Sequence, residues 1–249
     1  PRMKIPRPSL AVYLMANEAA PELAEAAVRG GATVIELGIP YSDPLADGTT
    51  IQRAAQAALD AGITPARALE LLAEINRRVD VPLVPMTYGA IVEGYGEEAF
   101  CRDAAAAGAE GLIVADIPPE ESGRLRAAAE AVNIDLIHLV SPTSRPERIR
   151  AAAEASRGFV YLVAAVGVTG ARENLDSRVA ELLTTTRTAA GDTPILGGFG
   201  VSTRAHVAGL IAAGTDGAIV GSAAIDAIDA GGAEALEALV RDLAAGLES

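Results

Sequence analysis

Gly31-Ala32-Thr33-Val34-Ile35-Glu36-Leu37 is the stretch on which the fold turns. Glycine suits the left-handed residue that ends a helix, and Thr33 to Leu37 has the length and composition of a short buried strand. Its apolar residues do not alternate with polar ones, so both faces are expected to be covered, as in a parallel sheet flanked by helices. Upstream, Leu10 to Met15 reads as a first strand, with a helix from about Pro21 to Arg29 leading to the second. Downstream the unit recurs, with strands at Val81 to Met86, Gly111 to Ala115, Ile134 to Val140, Phe159 to Val163, Pro194 to Leu196 and Gly217 to Val220. Helical patterns fill the intervals: Thr50 to Asp60, Pro65 to Arg78, Glu97 to Ala107, Glu120 to Ala131, Arg145 to Ala155, Ser177 to Ala189 and Thr203 to Ala213, with closing helices to Leu247. A second glycine-alanine pair, Gly108-Ala109, marks another helix-to-strand turn. Strands alternating with helices over 249 residues, with no linker or composition break, predict an α/β chain folded as one (β/α)8 TIM barrel domain spanning 1–249. A six-stranded open sheet with additions is the alternative.

Composition narrows the chemistry. The formal charge is −13, and no cluster of Lys or Arg is present to displace counterions from a phosphate backbone, which argues against nucleic acid. No apolar stretch approaches the roughly 18 to 20 residues of a membrane helix, and no signal-peptide core precedes Pro6 and Pro8, so a soluble, cytoplasmic protein is expected. Lys4 is the only lysine, in a proline-flanked segment that suits imine chemistry poorly. His138 and His206 have no His or Cys partner at ligand spacing and read as structural. Cys101 reads as a small buried side chain in a helix. Imine catalysis and a metal site are therefore not expected, which leaves acid–base groups as candidates.

A barrel places its chemistry at the C-terminal ends of the strands. Three small-residue loops stand there on consecutive strands: Gly167-Val168-Thr169-Gly170, Gly197-Gly198-Phe199-Gly200-Val201-Ser202 and Gly221-Ser222-Ala223. Glycines let backbone N–H groups approach an anion, and a helix N-terminus adds its dipole, so together these loops point to phosphate; singly, each would be an ordinary turn. Glu36 interrupts an apolar strand, where a carboxylate is costly unless paired, and no arginine partner is close in sequence. Asp47 follows in the loop Pro44-Leu45-Ala46-Asp47-Gly48. Asp43 and Asp47 could also be turn or cap residues. Two carboxylates in different environments can divide acid and base roles.

These residues carry a resemblance. The run Ile35 to Gly48, with Met86-Thr87-Tyr88, Val114-Ala115-Asp116-Ile117-Pro118, Tyr161, Gly167 to Gly170, Gly198 to Ser202 and Gly221-Ser222-Ala223, resembles the tryptophan synthase alpha chain family over nearly the whole chain. The resemblance implies cofactor-free retro-aldol cleavage of indole-3-glycerol phosphate to indole and glyceraldehyde 3-phosphate. It implies Glu36 as the general acid and base and Asp47 as the partner of the indole N–H. Tyr161 would sit near Glu36, and Thr169 would bond Asp47. Tyr13 and Tyr88 would contact the indole, and Gly170, Gly200, Gly221 and Ser222 would hold the phosphate. It further implies a pyridoxal-phosphate beta chain as partner in an alpha2beta2 complex, facing Asp43, Pro44 and Pro118. The sequence departs from the family pattern at Ala16-Asn17-Glu18, Gly89-Ala90-Ile91, Ala115 and Ala164, and ahead of the first strand, where the family has a helix. Two other readings follow: a stand-alone lyase that releases free indole, and a non-catalytic barrel serving as an allosteric partner.

Overall fold

The computed structural model describes residues 3–44, 47–163, 177–198 and 200–248. Its strands are β1 (Ser9–Met15), β2 (Val34–Gly38), β3 (Leu83–Thr87), β4 (Gly111–Val114), β5 (Asp135–Ile137), β6 (Leu139–Val140), β7 (Val160–Val163), β8 (Ile195–Gly198) and β9 (Gly217–Val220). All pairings are parallel, in the order β5-β4-β3-β2-β1-β9-β8-β7-β6. The two ends of that order, β5 and β6, are consecutive in the chain and separated only by His138, so the sheet curls into a nearly closed barrel.

The stretch expected as one strand from Ile134 to Val140 is therefore two. The His138 N–H donates to Ser156 Oγ at 3.0 Å, which removes it from the strand ladder, while its carbonyl still accepts from Tyr161 N at 3.1 Å. The helices around the barrel are α1 (Ala20–Gly30), α2 (Thr49–Asp60), α3 (Pro65–Asn76), α4 (Gly89–Tyr95), α5 (Glu97–Ala106), α6 (Gly123–Ala131), α7 (Pro146–Ala155), α8 (Ser177–Ala190), α9 (Arg204–Ala212) and α10 (Ser222–Ala244). Gly31 closes α1 at φ 113°, a conformation that penalises any Cβ. Backbone at Gly231 and Gly232 is non-helical, so α10 is two helices end to end. The helix α4 has no counterpart in the sequence reading.

Strand alternation sorts the core into two layers. Ala11, Val34, Val84, Ile113, Ile137, Phe159, Leu196 and Ile219 meet inside the barrel, while Leu10, Val12, Leu14, Ile35 and Leu37 pack under the helices. Two positions after Val34 on the same strand comes Glu36, so its side chain also points inward, toward the C-terminal end. The opposite end is plugged by Met3. Its backbone N–H donates to Asp135 Oδ2 at 2.7 Å, and its side chain joins the interior cluster. Lys4, next in the chain, is exposed on that floor. Among the described residues, no helix is long and apolar enough to cross a membrane.

Candidate active site

The C-terminal ends of the strands open onto a cavity of about 360 Å³. Tyr13 enters it from β1, Met86 from β3, Leu139 from β6, and Tyr161 and Val163 from β7. Asp47 and Gly48 come from the loop after β2, and Gly200, Val201 and Ser202 from the loop after β8. Gly221 and Ser222 stand at the start of α10. The described parts of two of the three glycine loops thus converge on one space, as their strand positions required. Thr169 and Gly170, in the third, lie outside the described residues.

Glu36 lies in the wall of the barrel beside this space. It is fully buried, and among the described residues neither carboxylate oxygen has a hydrogen-bond partner. Burial alone pushes its carboxyl up to about 8, so the group is protonated near neutral pH. Strand register sets Tyr13 opposite Glu36. The Tyr13 phenol is raised by burial and then by the Asp47 and Glu36 charges; Tyr161 is raised by burial and then by Glu36 and Asp47. Both phenols therefore feel both carboxylates, which places all four groups in one electrostatic neighbourhood.

Asp47 is only partly buried. Burial raises its carboxyl above the usual range, and a hydrogen bond from Tyr88 draws it part of the way back. Tyr88 is held in turn by the Tyr41 ring, with centroids 5.1 Å apart and planes at 30°. The Asp47 carbonyl accepts from Gln52 Nε2 at 2.8 Å, which fixes the loop to the first turn of α2. One carboxyl is thus buried and protonated near neutral pH, and the other is hydrogen-bonded and partly exposed.

In the loop after β8, Gly200 has φ 73°, where an L side chain would be strained. Ser202 N–H donates to His206 Nδ1 at 3.2 Å, so His206 ties this loop to α9. His138 is buried, and burial pushes its ring down to about 4, which leaves it neutral. Cys101 is a buried free thiol on α5, raised by burial to about 11.

Asp43 and Pro44 lie in the loop after β2, exposed and half-buried respectively, and Pro118 is half-buried after β4. Between these loops, α4 begins at Gly89, whose N–H donates to Asp116 Oδ1 at 2.7 Å. This bond joins the β3 and β4 loops at the same face as the cavity. The sequence reading missed Met86, Leu139, Ile219 and Asp226 as lining residues. Counting in twos from Val84 and Ile137 would have found the first two; nothing in the helix pattern around Asp226 singles it out.

A sequence model described as tryptophan synthase alpha chain matches residues 7–247. A tryptophan synthase alpha chain from Methanosarcina acetivorans is 45% identical over 241 residues, covering 94% of this chain and 87% of that protein. One from Prochlorococcus marinus is 47% identical over 198 residues, covering 80% and 74% respectively. A solved tryptophan synthase structure from Mycobacterium tuberculosis superposes with a TM-score of 0.88 at 42% identity, over 98% of this chain and 93% of that one. The Legionella pneumophila tryptophan synthase subunit alpha superposes with a TM-score of 0.85 at 29% identity, over 96% and 92%.

Proposed function

The chain belongs to the tryptophan synthase alpha chain family, lyases that cleave indole-3-glycerol phosphate in tryptophan biosynthesis, and from that premise we propose how its own residues divide the reaction. Glu36 is the general acid and base. Protonated at neutral pH, its carboxyl delivers a proton to C3 of the indole ring, which breaks the ring's aromaticity and leaves positive charge at the indole nitrogen. The resulting Glu36 carboxylate takes the proton of the glycerol hydroxyl beside the scissile bond. That hydroxyl carbon becomes the aldehyde, the bond electrons return to the ring, and indole and glyceraldehyde 3-phosphate separate. Protons balance over the cycle, because Glu36 ends as it began.

Asp47 accepts the indole N–H and offsets the charge that develops there, which requires the ionised form. Tyr88 favours that form by donating to it. Tyr13 and Tyr161 flank the ring, and Gly200, Gly221 and Ser222 hold the phosphate through backbone donors and the α10 dipole. Thr169 and Gly170 are proposed to complete the two ends.

The observation that carries this reading is the buried Glu36 carboxyl, unpartnered among the described residues and with its raised pKa, beside a cavity that also holds Asp47. The test is indole release from indole-3-glycerol phosphate by the purified chain. Glu36→Gln should lower kcat by about 10² to 10⁴; an active Glu36→Gln protein refutes the assignment.

A tryptophan synthase alpha chain has a beta chain as partner. We infer an alpha2beta2 assembly in the cytoplasm, with Asp43, Pro44 and Pro118 at the contact. The Asp116 to Gly89 bond supports this by fixing one loop of that face against the next. Large activation of indole formation by a beta chain supports docking there. No activation and no co-elution favour the stand-alone lyase.

A further inference from the structure

The cavity carries a charge of the wrong sign at its anion end. Among its described lining residues, only Asp47 and Asp226 are charged. Asp226 stands one helical turn after Ser222, so the two share a face of α10. A phosphate seated on Gly221 and Ser222 would meet the Asp226 carboxylate as a like charge competing for the same helix dipole.

The compensating cation comes from α2. Arg53 Nη2 lies 3.5 Å from Asp226 Oδ1 and 2.6 Å from Asp229 Oδ2. Thr50 Oγ1 reaches the same Asp226 oxygen at 3.5 Å. Both groups approach Asp226 from α2, and the pairing with Asp229 draws the guanidinium along α10 away from its N-terminus. These side chains are more than half exposed, so the ion pairs contribute little to stability. Their consequence is local. Gln52, immediately before Arg53, holds the Asp47 main-chain carbonyl, so a single turn of α2 touches the backbone at one end of the cavity and the Asp226 carboxylate at the other.

We propose that Arg53 is a positioning residue for the substrate's phosphate: it holds Asp226 off the anion seat and cancels its charge, acting through Asp226 without touching the substrate. This rests on the assignment of the phosphate to Gly200, Gly221 and Ser222.

The experiment titrates the full chain with sn-glycerol 3-phosphate and measures steady-state cleavage of indole-3-glycerol phosphate. Arg53→Ala should weaken glycerol phosphate binding and raise KM about five- to tenfold, with kcat kept within about twofold. Adding Asp226→Asn to Arg53→Ala should restore binding and KM, because the repulsion is gone. Asp226→Asn alone should tighten the anion. A merely stabilising staple between helices would lower the melting temperature of all three variants and leave the titration unmoved, which overturns the proposal. A double variant as weak as Arg53→Ala also overturns it, since Arg53 would then act directly. Ser222→Asp keeps a residue favoured at a helix N-terminus while placing a carboxylate in the seat. If it binds glycerol phosphate like the parent chain, the phosphate assignment itself fails. If it loses binding while Arg53→Ala does not, only the role of Arg53 falls.

Discussion

The hydroxyl of Tyr13 occupies the space that a side chain on Gly38 would need. A Cβ on Gly38 would overlap that oxygen and lie 2.5 Å from the ring carbon that bears it. The two residues sit near the ends of neighbouring strands, where Tyr13 is level with Glu36 and Met15 with Gly38, so the ring leans forward along β2. Gly38 is thus required by its neighbour rather than by its own backbone, and it leaves room for an aromatic ring at the strand position level with Glu36.

Gly38→Ala should consequently displace Tyr13. Overpacking of this kind costs about 1 to 3 kcal/mol, visible as a lowered denaturation midpoint, together with a raised KM for indole-3-glycerol phosphate. Combining Gly38→Ala with Tyr13→Ala should cost less stability than the sum of the two single variants, because the clash is gone, while the KM stays raised. A single variant with unchanged stability and KM would show that the ring does not need that space.

The pH dependence of catalysis follows from Glu36. A general acid whose carboxyl is pushed up to about 8 is competent below that pH and lost above it. In kcat/KM, which reports the free enzyme, activity should fall about tenfold per pH unit on the alkaline side of 8. A profile flat to pH 10 would contradict a protonated Glu36 as the starting form.

The same shift makes a statement about stability. The folded-state value of about 8 lies above the ordinary 4.5, so the folded chain binds this proton more tightly than the unfolded one. The associated stabilisation is complete below pH 4.5, declines between 4.5 and about 8, and is absent above that. Glu36→Gln keeps the shape and removes the proton linkage. Its urea midpoint should therefore gain on the parent chain steadily from pH 5 to pH 8.5; a gap that stays constant or shrinks would mean the carboxyl is not buried in both forms.

Asp47 should respond to Tyr88. Asp47→Asn should lower kcat on the order of 10²-fold. Tyr88→Phe removes only the donor, at a cost of about fivefold or so at neutral pH. Without that bond the Asp47 pKa rises further, so the acid limb of the kcat profile should move to higher pH. An acid limb that stays in place would detach Tyr88 from the ionisation of Asp47.

The legibility of this chain varied with the kind of signal each part carries. The barrel was readable because its strands are continuous apolar runs closed by glycine turns, and a pattern that both faces of a sheet must satisfy leaves few alternatives. Glu36 was readable because a carboxylate inside such a run needs a reason. The interruption at His138 was not, since it depends on Ser156, 18 residues away, taking one N–H. Helix α4 escaped notice because Gly89 and Gly94 weaken its propensity and the helix draws support from Asp116 on another loop. Met86 and Leu139 resemble ordinary core residues until the barrel's open end is known. Asp226 resembles a surface residue until the helix that carries it is seen to start at the cavity.

Lys4 sits on the floor of the barrel, beside the Met3 plug and at the end remote from the cavity. No other lysine occurs anywhere in the sequence. Within this sequence an amine reagent therefore finds one lysine, and that handle lies at the end away from the chemistry. Molecules tethered to a sensor surface through it would stand in one orientation with their mouths toward the liquid. Ligands and a partner chain can then be flowed across a uniform layer without engineering a tag.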